Sequence, residues 1–278
     1  MFCLRGDITA MRDLKQKNET EYIAQNPIIE IKNLRKVYKI GNEKVVALDN
    51  VTLSVSKGEI CCLLGTSGSG KSTLLNMIAG LEKPTKGTIL IRGQRIDQMN
   101  EKMLAKFRQG NMGFVFQSYN LLPALTAVEN VALPLTFKRV RKKDRIERAK
   151  KMLTMVGLET HMNHKPTQMS GGQQQRVGIA RAFVSEPPVM LADEPTGNLD
   201  SRTTKDVMHM MVDMVRSNEQ TMLIVTHDHD VALYADRIVH ILDGNIDYIE
   251  TVRDGEVVET TYMQSLETAS DTEMERAT

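Results

Sequence analysis

At 278 residues the chain can bury one large core, with room for a sizeable insertion. Its 36 Lys and Arg nearly balance 35 Asp and Glu, and the net charge of +1 makes no electrostatic case for nucleic acid or an anionic membrane surface. Aromatic residues make up 4% and Trp is absent, which argues against the stacking platforms that bind single-stranded nucleic acid.

No run approaches the ~18 consecutive apolar residues needed to cross a bilayer. Residues 1–26 are mixed in charge without an apolar signal core, so the chain reads as cytosolic and this stretch as a loose N-terminal extension. From Ile28 the pattern turns β-like: Ile28 to Ile31 is one strand, and Val45 to Val55 another, with Val51, Leu53 and Val55 alternating with Thr52 and Ser54. Tyr38 lies between them. A buried strand follows at Ile60-Cys61-Cys62-Leu63-Leu64. Adjacent cysteines on a strand face opposite ways, so that pair is not read as a metal site.

The next stretch, Gly65-Thr66-Ser67-Gly68-Ser69-Gly70-Lys71-Ser72-Thr73, fits G-x-x-x-x-G-K-[ST] without a mismatch and leads into an apolar helical run from Leu74. Gly65, Gly68 and Gly70 allow successive N–H groups to converge on one concavity. The helix start adds unpaired donors and the positive end of its dipole. Lys71 can reach β/γ-phosphates, and the Ser72 hydroxyl can ligate Mg²⁺. This is a nucleotide phosphate site.

Gly80 reads as a helix C-cap, Thr88 to Ile91 as a strand, and Gly113 to Phe116 as another, ending at Gln117. Residues 118–186 then read as a helical insertion. Ile146, Ala149, Leu153 and Val156 share helical spacing up to Gly157, and a second helix runs from near Ser170 through Phe183. The basic run from Lys138 to Lys143 is read as a solvated surface in preference to a partner contact. Ser170-Gly171-Gly172 places two glycines and a hydroxyl at a helix start, where phosphate can approach the backbone; taken alone, such a segment is more often a cap.

Strands resume at Val189 to Ala192, Thr221 to Val225 and Ile238 to Leu242. Met208, Met211 and Met214 on the intervening helix, Thr203 to Val215, read as core. Asp193-Glu194 sets two carboxylates at a buried strand end, which is costly unless a cation waits there. Asp193 is expected in a Mg²⁺ shell, and Glu194 is expected to orient or deprotonate an attacking water. Ile249 to Thr260 reads as a hairpin turning at Asp254-Gly255, and Ser265 to Thr278 as an acidic, disordered tail.

In this order the motifs resemble the nucleotide-binding subunit of an ABC transporter, over roughly residues 28–245. The Walker A match spans Gly65 to Thr73, Gln117 matches the Gln-loop, Ser170 to Arg176 the signature, Val189 to Glu194 Walker B, and Thr226-His227-Asp228 the His-loop. Met169 stands where the family commonly has Leu, a volume-conserving swap expected to be silent. The resemblance implies an α/β P-loop NTPase (RecA-like) core with a mostly parallel sheet, an N-terminal antiparallel β-subdomain and an inserted α-helical subdomain. It places the ATPase domain at residues 28–247, followed by the hairpin and tail at 248–278.

It also implies roles. Tyr38 stacks on adenine, and residues Gly65 to Thr73 with Ser170, Gly171 and Gly172 bind ATP. Ser72, Gln117 and Asp193 hold Mg²⁺. Glu194, Gln117 and His227 serve hydrolysis, and Asp200 lies in a D-loop at a dimer interface. Two copies close head to tail on ATP, one P-loop facing the other copy's signature. The implied function is an ATP-hydrolysing subunit on the cytoplasmic face of the plasma membrane, driving export or mechanical signalling through a permease. Phe116 to Pro123, Glu129 to Leu135 and Ala192 to Asp200 resemble a narrower branch that includes macrolide and antimicrobial-peptide exporters and the lipoprotein-releasing system. Permeases of that branch have few spans and a large extracytoplasmic domain. The alternative is a soluble ABC ATPase of the ribosome-associated or DNA-repair kind; it is disfavoured by the single cassette and the lack of a long coiled-coil insertion. A non-hydrolysing binding module is disfavoured by intact Lys71, Glu194 and His227.

Overall fold

A computed structural model of the chain describes residues 27–263. The expected N-terminal extension and the acidic tail from Ser265 lie outside the described residues. The chain starts with a long antiparallel hairpin, β1 (Pro27–Ile40) and β2 (Glu43–Ser56). It then enters a second sheet through β3 (Ile60–Leu64) and turns into α1 (Lys71–Ile78). Strands β4 (Lys86–Ile91) and β5 (Gln94–Arg95) return to the first sheet, giving the antiparallel order β2-β1-β4-β5.

Helix α2 (Glu101–Asn111) leads to β6 (Met112–Phe116). Between β6 and β7 (Val189–Asp193) lie α3 (Ala127–Phe137), α4 (Lys142–Met155) and α5 (Gly171–Phe183). The chain continues through α6 (Ser201–Ser217), β8 (Thr221–Thr226), a single turn α7 (His229–Ala232), β9 (Arg237–Leu242), β10 (Asn245–Arg253) and β11 (Glu256–Tyr262). The larger sheet has the order β11-β10-β9-β3-β8-β7-β6; its five strands from β9 to β6 pair in parallel and β10 and β11 add antiparallel edges.

The period-2 geometry of β3 divides the core in two. Ile60, Cys62 and Leu64 pack with the helices α3 to α6, whereas Cys61 and Leu63 pack with α1, α2 and the smaller sheet. The adjacent cysteines therefore do face opposite layers, and burial pushes the Cys61 thiol up to about 12. Met208, Met211 and Met214 are buried in the helical layer as core packing. Met169 packs in the same helical layer, with 8% of its surface exposed.

One expectation needs correction. Tyr38 is not in a connecting segment but inside β1, paired with Val45. The strand runs on through register shifts near Asn33, whose φ is 49°, and the Lys residues on either side of Tyr38 disguise its alternation. The reading also passed over α2 and β5. Helix α2 buries only Leu104 and Phe107, too narrow an apolar stripe to stand out from its polar neighbours.

Candidate functional site

The parallel strands deliver their C-terminal ends to one side of the sheet, where a cavity of about 880 Å³ opens. Its floor is the loop between β3 and α1. Gly68 and Gly70 there take φ of 84° and 104°, which side-chain-bearing residues rarely adopt. A Cβ on Gly70 would lie 2.6 Å from the Ala47 carbonyl oxygen, so β2 and the loop pack with no room for one. The β9–β10 turn closes from the other side, with Gly244 N–H donating to Ser69 O at 3.0 Å. Ser69 itself is buried and does not line the cavity; the other eight residues from Gly65 to Thr73 do.

Lys71 is folded back over the loop, its Nζ donating to the carbonyls of Gly65 at 2.8 Å and Thr66 at 2.6 Å. Burial lowers its pKa, an effect opposed by the Glu194 and Asp193 carboxylates across the cavity. Asp193, at the end of β7, shows the converse. Burial holds its pKa above the usual carboxylate range and neighbouring Glu194 adds to this, while Lys71 pulls the other way. The carboxylate pair is therefore costly as it stands, and a cation would relieve it.

Glu194 leaves the sheet through a left-handed residue, φ 46°, costing about 1–2 kcal/mol for a side chain with a Cβ. Its N–H donates to Val225 O at 2.9 Å and its carbonyl accepts from Gly197 at 3.1 Å, which holds the turn. The turn presents the carboxylate beside the end of β8. There Oε1 lies 2.8 Å from His227 Nδ1, and Oε2 accepts from the Thr226 hydroxyl at 3.3 Å. A carboxylate accepts hydrogen bonds, so His227 donates from Nδ1 and its Nε2 is left to the solvent side. Gln117, just past β6, lines the same cavity as Lys71, Ser72, Asp193, Glu194 and His227. Six chemistry-bearing residues from three separate strand ends and a helix start thus share one space.

Other expected residues lie elsewhere. Tyr38 does not line the cavity: its hydroxyl donates to Glu82 Oε2 at 2.6 Å, with Lys36 Nζ 4.9 Å from its ring centre. Ser170, Gly171 and Gly172 open into a second cavity of about 460 Å³, together with Asp200. There Ser170 caps α5 in a reciprocal box with Gln173. The segment is thus a helix cap that also lines a cavity. One chain keeps its two glycine-rich elements apart.

Sequence reasoning missed the far wall of the first cavity, His240 and Tyr248. Their rings stack at 3.8 Å between centres and 18° between planes, and His240 Nε2 lies 2.7 Å from Glu250 Oε2. They reach the site only because β9 pairs with β3, Leu64 opposite His240, and β10 folds back on β9. The one local signal was a His interrupting the otherwise apolar run from Ile238 to Leu242. Among the described residues no group of three His, Cys, Asp or Glu could hold a metal alone.

A family model described as ABC transporter matches residues 48–197. The ABC transporter ATP-binding protein MJ0796 of Methanocaldococcus jannaschii is 46% identical over 230 residues, covering 81% of this chain and 98% of that protein. The macrolide export ATP-binding/permease protein MacB of Pasteurella multocida is 44% identical over 220 residues, 79% of this chain but 34% of the longer relative. A dimeric, post-hydrolysis structure of the cassette MJ0796 bound to ADP and phosphate superposes with a TM-score of 0.76 at 44% identity, over 81% of this chain and 99% of that one. Motif order, sheet topology and these likenesses agree: the chain belongs to the ABC transporter family, as one of its ATP-binding, ATP-hydrolysing cassettes.

Proposed function

We propose that ATP is hydrolysed in a composite site, built from the first cavity of one copy and the second cavity of another. The observation that carries this is the separation of the two glycine-rich elements into different cavities of one chain. A second copy packed head to tail supplies what each P-loop lacks, the Ser170 hydroxyl and the free N–H groups at the start of α5. The ADP- and phosphate-bound MJ0796 dimer supports the same reading.

Each chain's own residues divide the work. Loop amides from Gly65 to Thr73 and the Lys71 ammonium bind the phosphates, Lys71 exchanging its two loop carbonyls for phosphate oxygens. The Ser72 hydroxyl, the Gln117 amide oxygen and the Asp193 carboxylate form a hard, all-oxygen donor set that fits Mg²⁺. The costly Asp193–Glu194 pair fits a cation as well. Magnesium, when bound, neutralises charge on the phosphate oxygens. Glu194 takes the proton of the attacking water, and His227, fixed by its Nδ1 bond to Glu194, turns Nε2 toward the phosphate. Tyr38, tethered by Glu82, offers its ring to adenine, and Asp200 meets the partner copy.

No described helix is long and apolar enough to cross a membrane. The membrane partner we propose is a permease with few spans and a large extracytoplasmic domain, which seats the cassette at the cytoplasmic face of the plasma membrane. The likeness to the MacB export ATP-binding/permease protein supports this branch.

Ser170→Phe tests the composite site. Ser170 is exposed, so the ring blocks the half-site without entering the core, at a cap cost of about 1 kcal/mol. Turnover should collapse while nucleotide affinity of the first cavity persists. Turnover equal to the unmodified chain would contradict the composite site.

A further inference from the structure

His161 belongs to none of the motifs, yet it lines the second cavity beside Ser170, Gln173 and Arg176. It sits in a single 3-10 turn, Glu159–His161, between α4 and α5. Hydrogen-bond bookkeeping fixes its state. Ser170 N–H donates to Gln173 Oε1 at 2.9 Å, so the carbonyl end of that amide is committed and its Nε2 is a donor. This Nε2 lies 3.1 Å from His161 Nε2. A donor must meet a lone pair, so the His161 proton is on Nδ1, which lies 2.9 Å from Thr160 Oγ1.

The ring is also braced. His164 meets it edge-on at 4.9 Å between ring centres. The segment carrying both rings is pinned to the start of α3, with Ala127 N–H donating to His164 O at 2.8 Å and Val128 N–H to Met162 O at 3.0 Å. A neutral, immobilised acceptor therefore closes the outer side of the Ser170–Gln173 box.

We propose that His161 is a positioning residue of the signature half-site. By accepting from Gln173 Nε2 it holds the capping box in the shape in which Ser170 and the α5 amides meet the partner copy's nucleotide. The inference rests on the composite-site reading above and adds to it a residue outside the five motifs.

The test uses the full chain on a Glu194→Gln background and reads ATP-driven dimerisation by sedimentation. His161→Phe keeps a ring but removes the acceptor. His161→Gln supplies a carbonyl acceptor of similar reach. Losing the bond should weaken each half-site about 3–10-fold, and a closed dimer holds two, so the dimer dissociation constant should rise about 10–100-fold with Phe. The Gln variant should return to within about threefold of the parent. ATP affinity of the first cavity, measured at dilution where the chain is monomeric, should be unchanged in both, since His161 does not line it. A Phe variant that dimerises like its parent overturns the proposal. So does a Gln variant that fails to rescue, or a matching loss of first-cavity affinity. If the His161 parent itself does not dimerise with ATP, the composite site falls and this inference falls with it.

Discussion

Replacing Glu194 by Gln separates chemistry from binding, and the structure says why the exchange is clean. Glu194 Oε1 accepts from His227 Nδ1 at 2.8 Å, a bond the Gln carbonyl oxygen can also make. The other end faces the Thr226 hydroxyl at 3.3 Å, an oxygen that can accept from an NH₂ as readily as donate to a carboxylate. The turn is held by backbone bonds to Val225 and Gly197, which the substitution does not touch. Shape survives and basicity is lost. Removing a general base costs about 10²–10⁴ in rate, or about 3–5 kcal/mol of barrier. Single-turnover hydrolysis under saturating ATP reads the step directly, and equilibrium binding should show affinity retained. Hydrolysis within about threefold of the unmodified chain would refute the assignment of Glu194 as base.

Asp193→Asn should act on metal and stability together. Burial raises the Asp193 pKa, so the ionised group is a burden that is absent at low pH and grows as pH rises through its folded value; the Asn variant should melt higher at neutral pH, the gain vanishing on acidification, while Mg²⁺ dependence and nucleotide affinity weaken. A thermal melt series against pH with Mg²⁺ titrations checks both, and unchanged Mg²⁺ dependence would remove Asp193 from the metal shell. Lys71→Ala should abolish tight ATP binding with the fold intact, because Nζ bonds only loop carbonyls and not the core; circular dichroism and nucleotide binding decide, and wild-type turnover would count against the phosphate site. Gly70→Ala sets a methyl 2.6 Å from the Ala47 carbonyl oxygen and 2.8 Å from Leu48 Cδ2, at a φ of 104°. It should cost about 1–3 kcal/mol and distort the loop, lowering both the melting temperature and ATP affinity; a melt unchanged from the parent would mean that this packing is not as tight as the structure has it.

Where function depends on short, contiguous chemistry, the sequence was readable. The loop from Gly65 to Thr73, the carboxylate pair at the end of β7 and the His after β8 each announce themselves within a few residues of an apolar strand. The parallel core was readable for the same reason: strands covered on both faces, such as β8 with its unbroken run from Met222 to Val225, are apolar through their middle. What was hidden depends on pairing across long separations. His240 enters the site through its register with Leu64, and nothing within ten residues of either predicts that partner. Glu82, which tethers Tyr38, comes from the turn after α1, forty-four positions from the ring it holds. His161 was hidden differently, since its meaning lies in which end of the Gln173 amide faces it, a matter of side-chain geometry.

The central claim is that two copies share each ATP, and sedimentation of the Glu194→Gln chain tests it most directly. Without nucleotide the chain should run as a monomer. With saturating ATP and Mg²⁺ it should run as a dimer, and with ADP it should return to the monomer, because the γ-phosphate bridges the Lys71 side of one copy and the Ser170 side of the other. A chain that binds ATP tightly in its first cavity yet remains monomeric, also in the presence of its membrane partner, would contradict the account.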